Sequence, residues 1–267
     1  MIYFIIAILS LSLILIIHEW GHFLFSRLFG VKVEEFGIGY PPRLFSFKKN
    51  GVVYSVNAIP FGALTQIYEG EKGKNEPESF WSKSTFQKIM ILVAGPLFNI
   101  LLAFLILTIL FAVGFPQEVV PFPVFEGGVV VKYSVPQAMV HSIEFMGIIL
   151  RESIIGMGQA FYNLFFKAQI QDFVGPIGLV AISQQAVQLG VTQSLYFFAL
   201  ISYVLGIFNL LPIPALDGGR VFLILIEKIR RKPISAKSEN LINNIAFSLL
   251  IILLIIVSIK DVFVFIF

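Results

Sequence analysis

The stretch LSLILIIHEWGHFLFSRLFG, Leu11 to Gly30, places three ionisable side chains at the end of an apolar run. The seventeen residues before His18 contain no charged residue, and His18, Glu19 and His22 then follow within one helical turn. An ionisable residue inside a membrane helix is costly, so it marks a functional site by default. This stretch therefore predicts a membrane helix that carries a site.

The composition of the whole chain agrees with a membrane protein. Its 267 residues are 57% apolar and 13% charged, with a mean hydropathy of +0.90, whereas a soluble domain is about half apolar and about a quarter charged. The absence of cysteine excludes disulfides and thiolate metal sites. Segments long enough to span a bilayer, which takes about 20 residues, lie at roughly 2–25, 89–115, 194–214 and 242–260. We expect the first to be retained, because no positive residue precedes it and no small-residue cleavage site follows.

The distribution of basic residues predicts the orientation in the membrane. Of the 19 lysines and arginines, nine lie in the connection 27–88 and six in the connection 217–240. Connections rich in lysine and arginine remain on the cytoplasmic side. We therefore expect a multi-pass protein of the inner or plasma membrane with both termini external. The basic residues are accounted for by this topology, and no nucleic-acid partner is expected.

The segments between the predicted spans have sequence patterns of different kinds, and each pattern predicts a different local structure. Asn50-Gly51 between two β-branched and aromatic runs predicts a hairpin or small sheet over 34–68, close to the membrane. Residues 116–136 predict an extended external link, and 138–166 an amphipathic helix in the outer interface. The expected fold class is an all-α polytopic membrane protein with four transmembrane helices, a membrane-associated hairpin after the first and an amphipathic helix before the third. We expect one domain over 1–267.

The pattern H-E-x-x-H at 18–22 predicts a zinc site. Histidines four residues apart share one face of a helix, so both imidazoles can reach a single ion. Glu19 lies on an adjoining part of the helix, where a carboxylate can act as a general base without being a ligand. In the alternative, His18 and His22 only form hydrogen bonds with neighbouring helices.

A catalytic zinc takes three protein ligands and keeps one position open. Asp172 and Asp261 lie on the predicted external side, whereas Asp217 follows the third span at the cytoplasmic boundary that His22 also approaches. We therefore predict one zinc ion per chain, bound by both histidines and Asp217. The alternative role of Asp217 is to cap the helix that starts at Gly218. His141 has no such context and is expected at the surface.

The segment NLLPIP, residues 209–214, predicts a break in helical hydrogen bonding at membrane depth. Such a break is tolerated where the backbone is buried in protein or lines a wet cavity. Pro212 and Pro214 would leave backbone groups with which an extended peptide could pair, and Asn209 could hold that peptide through its side chain. In the alternative, the segment is a kink and Asn209 bonds within its own helix.

These motifs together resemble the site-2 protease family of intramembrane zinc metalloproteases. HEWGH at 18–22 and NLLPIPALDGG at 209–219 are similar to its two signature motifs, and AGPLFN at 94–99 and GPIG at 175–178 also match. The runs IGYPPRLFSF and YSVNAIPFGA resemble the membrane-associated hairpin of its bacterial anti-sigma-factor protease branch. The resemblance covers nearly the whole chain.

The resemblance implies a zinc-dependent endopeptidase that cleaves in or near transmembrane segments. Its substrates would be single-span membrane proteins within the lipid bilayer, such as anti-sigma factors or remnant signal peptides, often trimmed first by an upstream protease in regulated intramembrane proteolysis. The residues to which it gives a role are the zinc ligands His18, His22 and Asp217, the water-activating Glu19, and the substrate-binding Asn209, Pro212, Pro214 and Asn99.

One departure from the family pattern is large. The branch that the chain resembles has an external PDZ domain between the second and third spans, where this chain has the link 116–136. That domain is thought to exclude bulky substrates, so the resemblance leaves substrate selection open. Two other classes also stay open, a catalytically silent membrane scaffold and a metal transporter that uses the histidines as a transit site.

Overall fold

A computed structural model describes residues 1–71, 76–116 and 130–265, which are mostly helical. Four helices in the described ranges are long and apolar enough to cross a membrane, namely α1, α2, α5 and the part of α7 from Lys237 onward. This confirms the predicted fold class. The helices are α1 (Ile2–Leu28), α2 (Thr85–Val113), α3 (Val135–Lys167), α4 (Pro176–Gln188), α5 (Val191–Asn209), α6 (Asp217–Arg230) and α7 (Ala236–Phe265).

The third spanning helix is shorter than the sequence suggested. Helix α5 ends at Asn209, before the expected end at 214. Pro212 and Pro214 carry no backbone N–H, and their rings obstruct a continuing helix. The segment 210–216 instead forms turns, in which Leu211 N donates to Phe208 O at 3.0 Å.

A small antiparallel sheet follows α1, as predicted. Strand β1 (Val33–Lys49) and strand β2 (Val52–Ile67) meet at Asn50-Gly51, where both residues have positive φ, 50° and 84°. These values are those that a tight hairpin turn requires. The strands also bend, so that Phe36 pairs with both Thr65 and Tyr54. The start of β1 therefore lies between the two halves of β2, a sheet more compact than a simple hairpin.

The chain divides into two compact units by its internal contacts. One unit comprises Ile8–Asn99 and Leu205–Ile251, and the other Met1–Ala7, Ile100–Val204 and Ile252–Phe267. The first contains the sheet, α6 and both signature motifs. Its buried apolar cluster joins the end of α1, the connection to α2, α2 itself and α6, through Val31, Phe80, Ile91, Leu92 and Ile224.

The second unit contains α3 and α4. Phe145 of α3 is buried and contacts Phe111 and Tyr196, with ring centroids 5.9 Å apart in both cases. Large apolar side chains of α3, including Ile143 and Ile154, are exposed. A helix with these exposed apolar residues occupies the region for which we predicted an interfacial helix. Two short strands, β3 (Phe115–Pro116) and β4 (Val130–Val131), precede it. Most of the predicted external link, 117–129, lies outside the described residues.

A buried carboxylate connects α7 and α4 within this second unit. The Asp261 side chain is fully buried, and its Oδ2 accepts hydrogen bonds from the backbone N–H groups of Gly175 and Gly178, each at 2.8 Å. Nζ of Lys260 lies 3.0 Å from its Oδ1. The GPIG motif, Gly175 to Gly178, therefore begins α4 with a carboxylate bound across its first N–H groups.

Candidate metal centre

The two histidines of the H-E-x-x-H turn meet on one face of α1. His18 and His22 are one turn apart, and their Nε2 atoms are 3.2 Å apart. His18 is almost fully buried, with 8% of its surface exposed. The helix therefore brings two imidazole nitrogens to one point, as the spacing predicts.

Asp217 approaches the same point from the start of α6. Its Oδ2 lies 3.2 Å from Nε2 of His18 and 3.3 Å from Nε2 of His22. Asp217 is the first residue of α6, and Leu216 precedes it as the N-cap. The described contacts of the Asp217 carboxylate are with the two histidines.

These three residues fit a zinc ion. Ligand atoms on a tetrahedral zinc, with bonds of about 2.0–2.1 Å, lie about 3.3–3.4 Å apart, and the three observed separations are 3.2, 3.2 and 3.3 Å. In the ranges that the structure describes, they are the one group of three or more histidine or acidic residues that could hold a metal.

The Asp217 carboxyl is held in its ionised form. Burial opposes its ionisation, but when no metal is bound and the imidazoles are protonated, the hydrogen bonds and positive charges of His18 and His22 outweigh that effect, so the pKa of Asp217 lies well below its usual range. An anionic oxygen is the form in which a carboxylate binds a metal.

Hydrogen bonds on the far side of each imidazole orient the rings. Nδ1 of His22 is 2.8 Å from the backbone carbonyl oxygen of Ile91. Because a carbonyl only accepts, this Nδ1 must carry the proton, and Nε2 keeps its lone pair for a metal. The side-chain amide of Asn99 lies 3.3 Å from Nδ1 of His18 and is fully buried. Metal binding by His18 requires the amide oxygen to face that nitrogen, since the two amide orientations are interchangeable by a flip.

Two glycines allow α1 and α2 to approach closely at this point. A Cβ atom on Gly95 would lie 2.3 Å from Nε2 of His22, and one on Gly21 would lie 2.5 Å from the carbonyl oxygen of Ala94. Neither separation is sterically possible. The glycines of the HEWGH and AGPLFN motifs therefore place the second helix directly against the His22 ring.

Glu19 lies beside the three clustered side chains. Its carboxylate is in electrostatic range of His18, His22 and Asp217. The hydroxyl of Thr65, on β2, donates a hydrogen bond of 2.9 Å to the Glu19 backbone carbonyl. The sheet is thus attached to α1 at the residue that the motif predicts as the general base.

The predicted substrate-binding residues occupy different places. The Asn209 side chain donates to the Leu205 carbonyl oxygen at 3.0 Å, which is the intrahelical bond that the sequence left open as the alternative. Pro212 and Pro214 lie in the non-helical segment before Asp217. Asn99 contacts His18. The roles of all four in binding a substrate stay predictions.

His141 lies apart from the cluster, on α3. It is partly exposed, and its Nδ1 is 3.0 Å from an oxygen of Glu144. Ile91, in contrast, was missed by the sequence analysis. It contributes a backbone carbonyl, and a backbone group leaves no mark in a pattern of residue types. The AGPLFN motif singled out Asn99, but the sequence did not predict its contact with His18.

Four long apolar helices, an H-E-x-x-H turn and a carboxylate brought beside it define a membrane-embedded zinc metalloprotease. The profile of Peptidase family M50 matches residues 6–253. The chain belongs to this family, the site-2 proteases, which act on membrane-protein substrates within the bilayer. The predicted family and the predicted enzyme class are thereby confirmed, and the family implies zinc as the metal.

Two relatives match over almost their whole lengths. A candidate zinc metalloprotease of Clostridium perfringens is 30% identical, with 97% of this chain and 98% of the relative covered. The zinc metalloprotease RasP of Shouchella clausii is 24% identical, with 94% of this chain and 96% of the relative covered. The RasP alignment runs over 403 positions, so RasP contains segments with no counterpart among the 267 residues here.

Proposed function

We propose that this protein hydrolyses peptide bonds in or near the transmembrane segments of single-span membrane proteins, using one zinc ion per chain. The observation that carries the proposal is the convergence of His18, His22 and Asp217, whose ligand atoms lie 3.2–3.3 Å apart. In this proposal those three residues bind the zinc, and Glu19 is the general base.

The proposed chemistry is hydrolysis of an amide. The bound zinc supplies a Lewis acid that activates water and polarises the scissile carbonyl. The Glu19 carboxylate accepts a proton from the attacking water and passes it to the leaving amine nitrogen. A C–O bond forms and the C–N bond breaks, so one water is consumed for each bond that is cut. His22 and His18 keep their ring orientation through Ile91 and Asn99.

A substrate helix hides its carbonyl groups in its own hydrogen bonds, so it must be extended before attack. We assign this step to the broken segment with Pro212 and Pro214, together with Asn209 and the neighbouring sheet. A strand can pair with exposed backbone in this way. The resemblance groups Asn99 with the substrate residues, but its contact with His18 favours a role in orienting that imidazole.

The proposed setting is regulated intramembrane proteolysis. Substrates would be single-span proteins such as anti-sigma factors or remnant signal peptides, trimmed beforehand by an upstream protease. Both chain termini would be external, with the active site near the cytoplasmic face of the inner or plasma membrane. The distribution of lysine and arginine supports this orientation.

The decisive experiment compares the purified wild-type protein with Glu19→Gln in proteoliposomes that contain a single-span reporter. We expect Glu19→Gln to retain zinc and to lower the cleavage rate by about 10²- to 10⁴-fold, the usual contribution of a general base. A zinc chelator should stop cleavage by the wild type. Glu19→Asp is the matched control for charge, because it keeps the carboxylate and withdraws it by one methylene.

Three outcomes would contradict the proposal. Equal cleavage by Glu19→Gln and the wild type would remove Glu19 as the base. Absence of cleavage by zinc-loaded wild type, with several reporters, would favour a membrane scaffold. Zinc uptake into the vesicles that depends on His18 would favour a transporter.

A further inference from the structure

A cavity in the first unit of the molecule is lined by residues next to the metal centre, and His18, Glu19 and His22 are not among its lining residues. Its volume is about 650 Å³, and Asp217 is part of its wall. The adjoining wall residue Ala215 belongs to the broken segment and has a positive φ of 73°. The wall of the cavity therefore includes a proposed zinc ligand and the backbone that precedes it.

Another part of the wall is a polar stripe near the start of α7. The sequence NLINN near the start of α7 supplies Asn240, Asn243 and Asn244, and all three line the cavity. They are spaced three and four residues apart, so they share one helix face. Phe247 continues the same face one turn further.

One of these asparagines already binds backbone. The Asn243 side-chain oxygen accepts a hydrogen bond from the Ala215 N–H at 3.4 Å. Asn240 and Asn244 are exposed to the cavity and have no hydrogen-bond partner in the part of the chain that the structure describes. Asn243 thus binds the backbone of the chain at Ala215, and the amides of Asn240 and Asn244 lie beside it on the same helix face.

The remaining wall includes an ion pair. Nη2 of Arg220, on α6, lies 2.7 Å from Oε1 of Glu69, in the segment after β2. This pair connects α6 to the segment after the sheet, and both of its residues line the cavity.

We propose that Asn240 and Asn244 bind the backbone of an extended substrate segment that flanks the scissile bond. An asparagine amide presents one acceptor and two donors, which match the N–H and C=O groups of a peptide unit. A helical segment would have no free backbone groups to offer. This inference rests on the proposed function, and it assigns to α7 a substrate-positioning role that neither signature motif contains.

The first test uses the double variant Asn240→Ala/Asn244→Ala with a reporter that has one apolar segment of about 20 residues and a polar tail on the predicted cytoplasmic side. We expect KM to rise about tenfold, which equals about 1.4 kcal/mol and is the size expected for two neutral hydrogen bonds. The kcat and the zinc content should not change. Ser248→Ala, on the same helix but outside the cavity wall, is the matched control.

Removing the polar tail from the reporter sharpens this test. The tailless reporter should be cut with the same KM by the wild type and by the double variant, because the asparagines would have no segment to bind. A fall in kcat with unchanged KM, or an equal effect on both reporters, would overturn the proposal in favour of a structural role for the stripe.

A second measurement does not depend on cleavage. A photoreactive residue in place of Asn244, in the Glu19→Gln background, should crosslink to the reporter tail, whereas the same residue in place of Leu249, on the opposite helix face, should not. If the wild type cuts the reporter but position 244 yields no crosslink, this inference fails and the proposed function stands. If position 244 crosslinks but the wild type never cuts, the proposed function fails and the binding site stands.

Discussion

Asp217 and Asp261 are two carboxylates with different surroundings, since the side chain of Asp217 is 21% exposed and that of Asp261 is fully buried. The Oδ2 atom of Asp261 accepts hydrogen bonds from two backbone N–H groups, and its Oδ1 atom lies 3.0 Å from the Lys260 ammonium. Among the described residues, the Asp217 carboxylate contacts the imidazole rings of His18 and His22, which are neutral when they act as metal ligands. The Asp261 carboxylate is compensated by the fold, and for that of Asp217 we propose compensation by the zinc ion.

This difference separates a structural site from a binding site. A buried charge without compensation costs several kcal/mol. The donors of Asp261 are contributed by α4 and by its own helix, so its anion stabilises a junction. Asp217 sits at the end of a broken segment, where a partner of higher charge than an imidazole can enter. The variants below test whether the two aspartates have these separate roles.

The largest effect is expected from Asp217→Asn. The amide has nearly the same shape but no charge, so zinc should be lost from the purified protein and cleavage should fall to the level of the chelated wild type. Zinc content by metal analysis, together with the reporter assay, is the measurement. The helical circular dichroism spectrum should be unchanged. Full zinc content in Asp217→Asn would show that Asp217 is not a ligand.

Asp261→Ala should act on stability and not on zinc. Removing the carboxylate leaves the N–H groups of Gly175 and Gly178 and the Lys260 ammonium without their partner, and breaking a buried charge pair costs about 3–5 kcal/mol. We expect a lower midpoint of unfolding in detergent, with a normal zinc content in the protein that remains folded. If Asp261→Ala had normal stability but no zinc, Asp261 would be needed for the metal site and not for the stability of the fold.

Asn99→Ala should weaken the metal site without removing a ligand. Outer hydrogen-bond partners of metal-binding histidines contribute about 10- to 100-fold to metal affinity, and Asn99 is the side chain beside Nδ1 of His18. Competition with a chelator of known affinity gives the measurement. Asn163→Ala, on α3 of the other unit, serves as the matched control because it removes a buried asparagine that does not contact a histidine. Equal zinc affinities for the two variants would exclude the orienting role.

The sequence predicts the parts of the site that depend on local spacing. His18, Glu19 and His22 follow from one helical turn, and Asp217 followed from the predicted topology. The contacts of Ile91 with His22 depend on how two helices pack, which no local pattern contains. The role of Asp261 was missed for the same reason, since its partners Gly175 and Gly178 are more than eighty residues away.

In the fold, too, the features set by local sequence were predicted and those set by packing were not. The apolar runs predict the four long helices because length and hydropathy are properties of each segment alone. The break after Asn209 follows from Pro212 and Pro214, which the sequence shows directly. The double pairing of Phe36 was not predicted, since it depends on the bending of two strands. Spacing therefore identifies the candidate ligands, and packing decides their orientation.

The smallest effect is expected from Lys260→Met, which tests how far the Lys260 ammonium compensates the charge of Asp261. The Lys260 ammonium also donates to the carbonyl oxygen of Phe173, and its side chain is 17% exposed. Methionine keeps the apolar stem and removes the charge, while the N–H groups of Gly175 and Gly178 still bind the carboxylate. We expect a loss of about 1.5–3 kcal/mol, the size of a hydrogen bond to a charged group, and less than the loss in Asp261→Ala. The unfolding midpoints of the two variants provide the measurement. If Lys260→Met were as unstable as Asp261→Ala, the backbone donors would not compensate the carboxylate, and Asp261 would depend on a cation as Asp217 does.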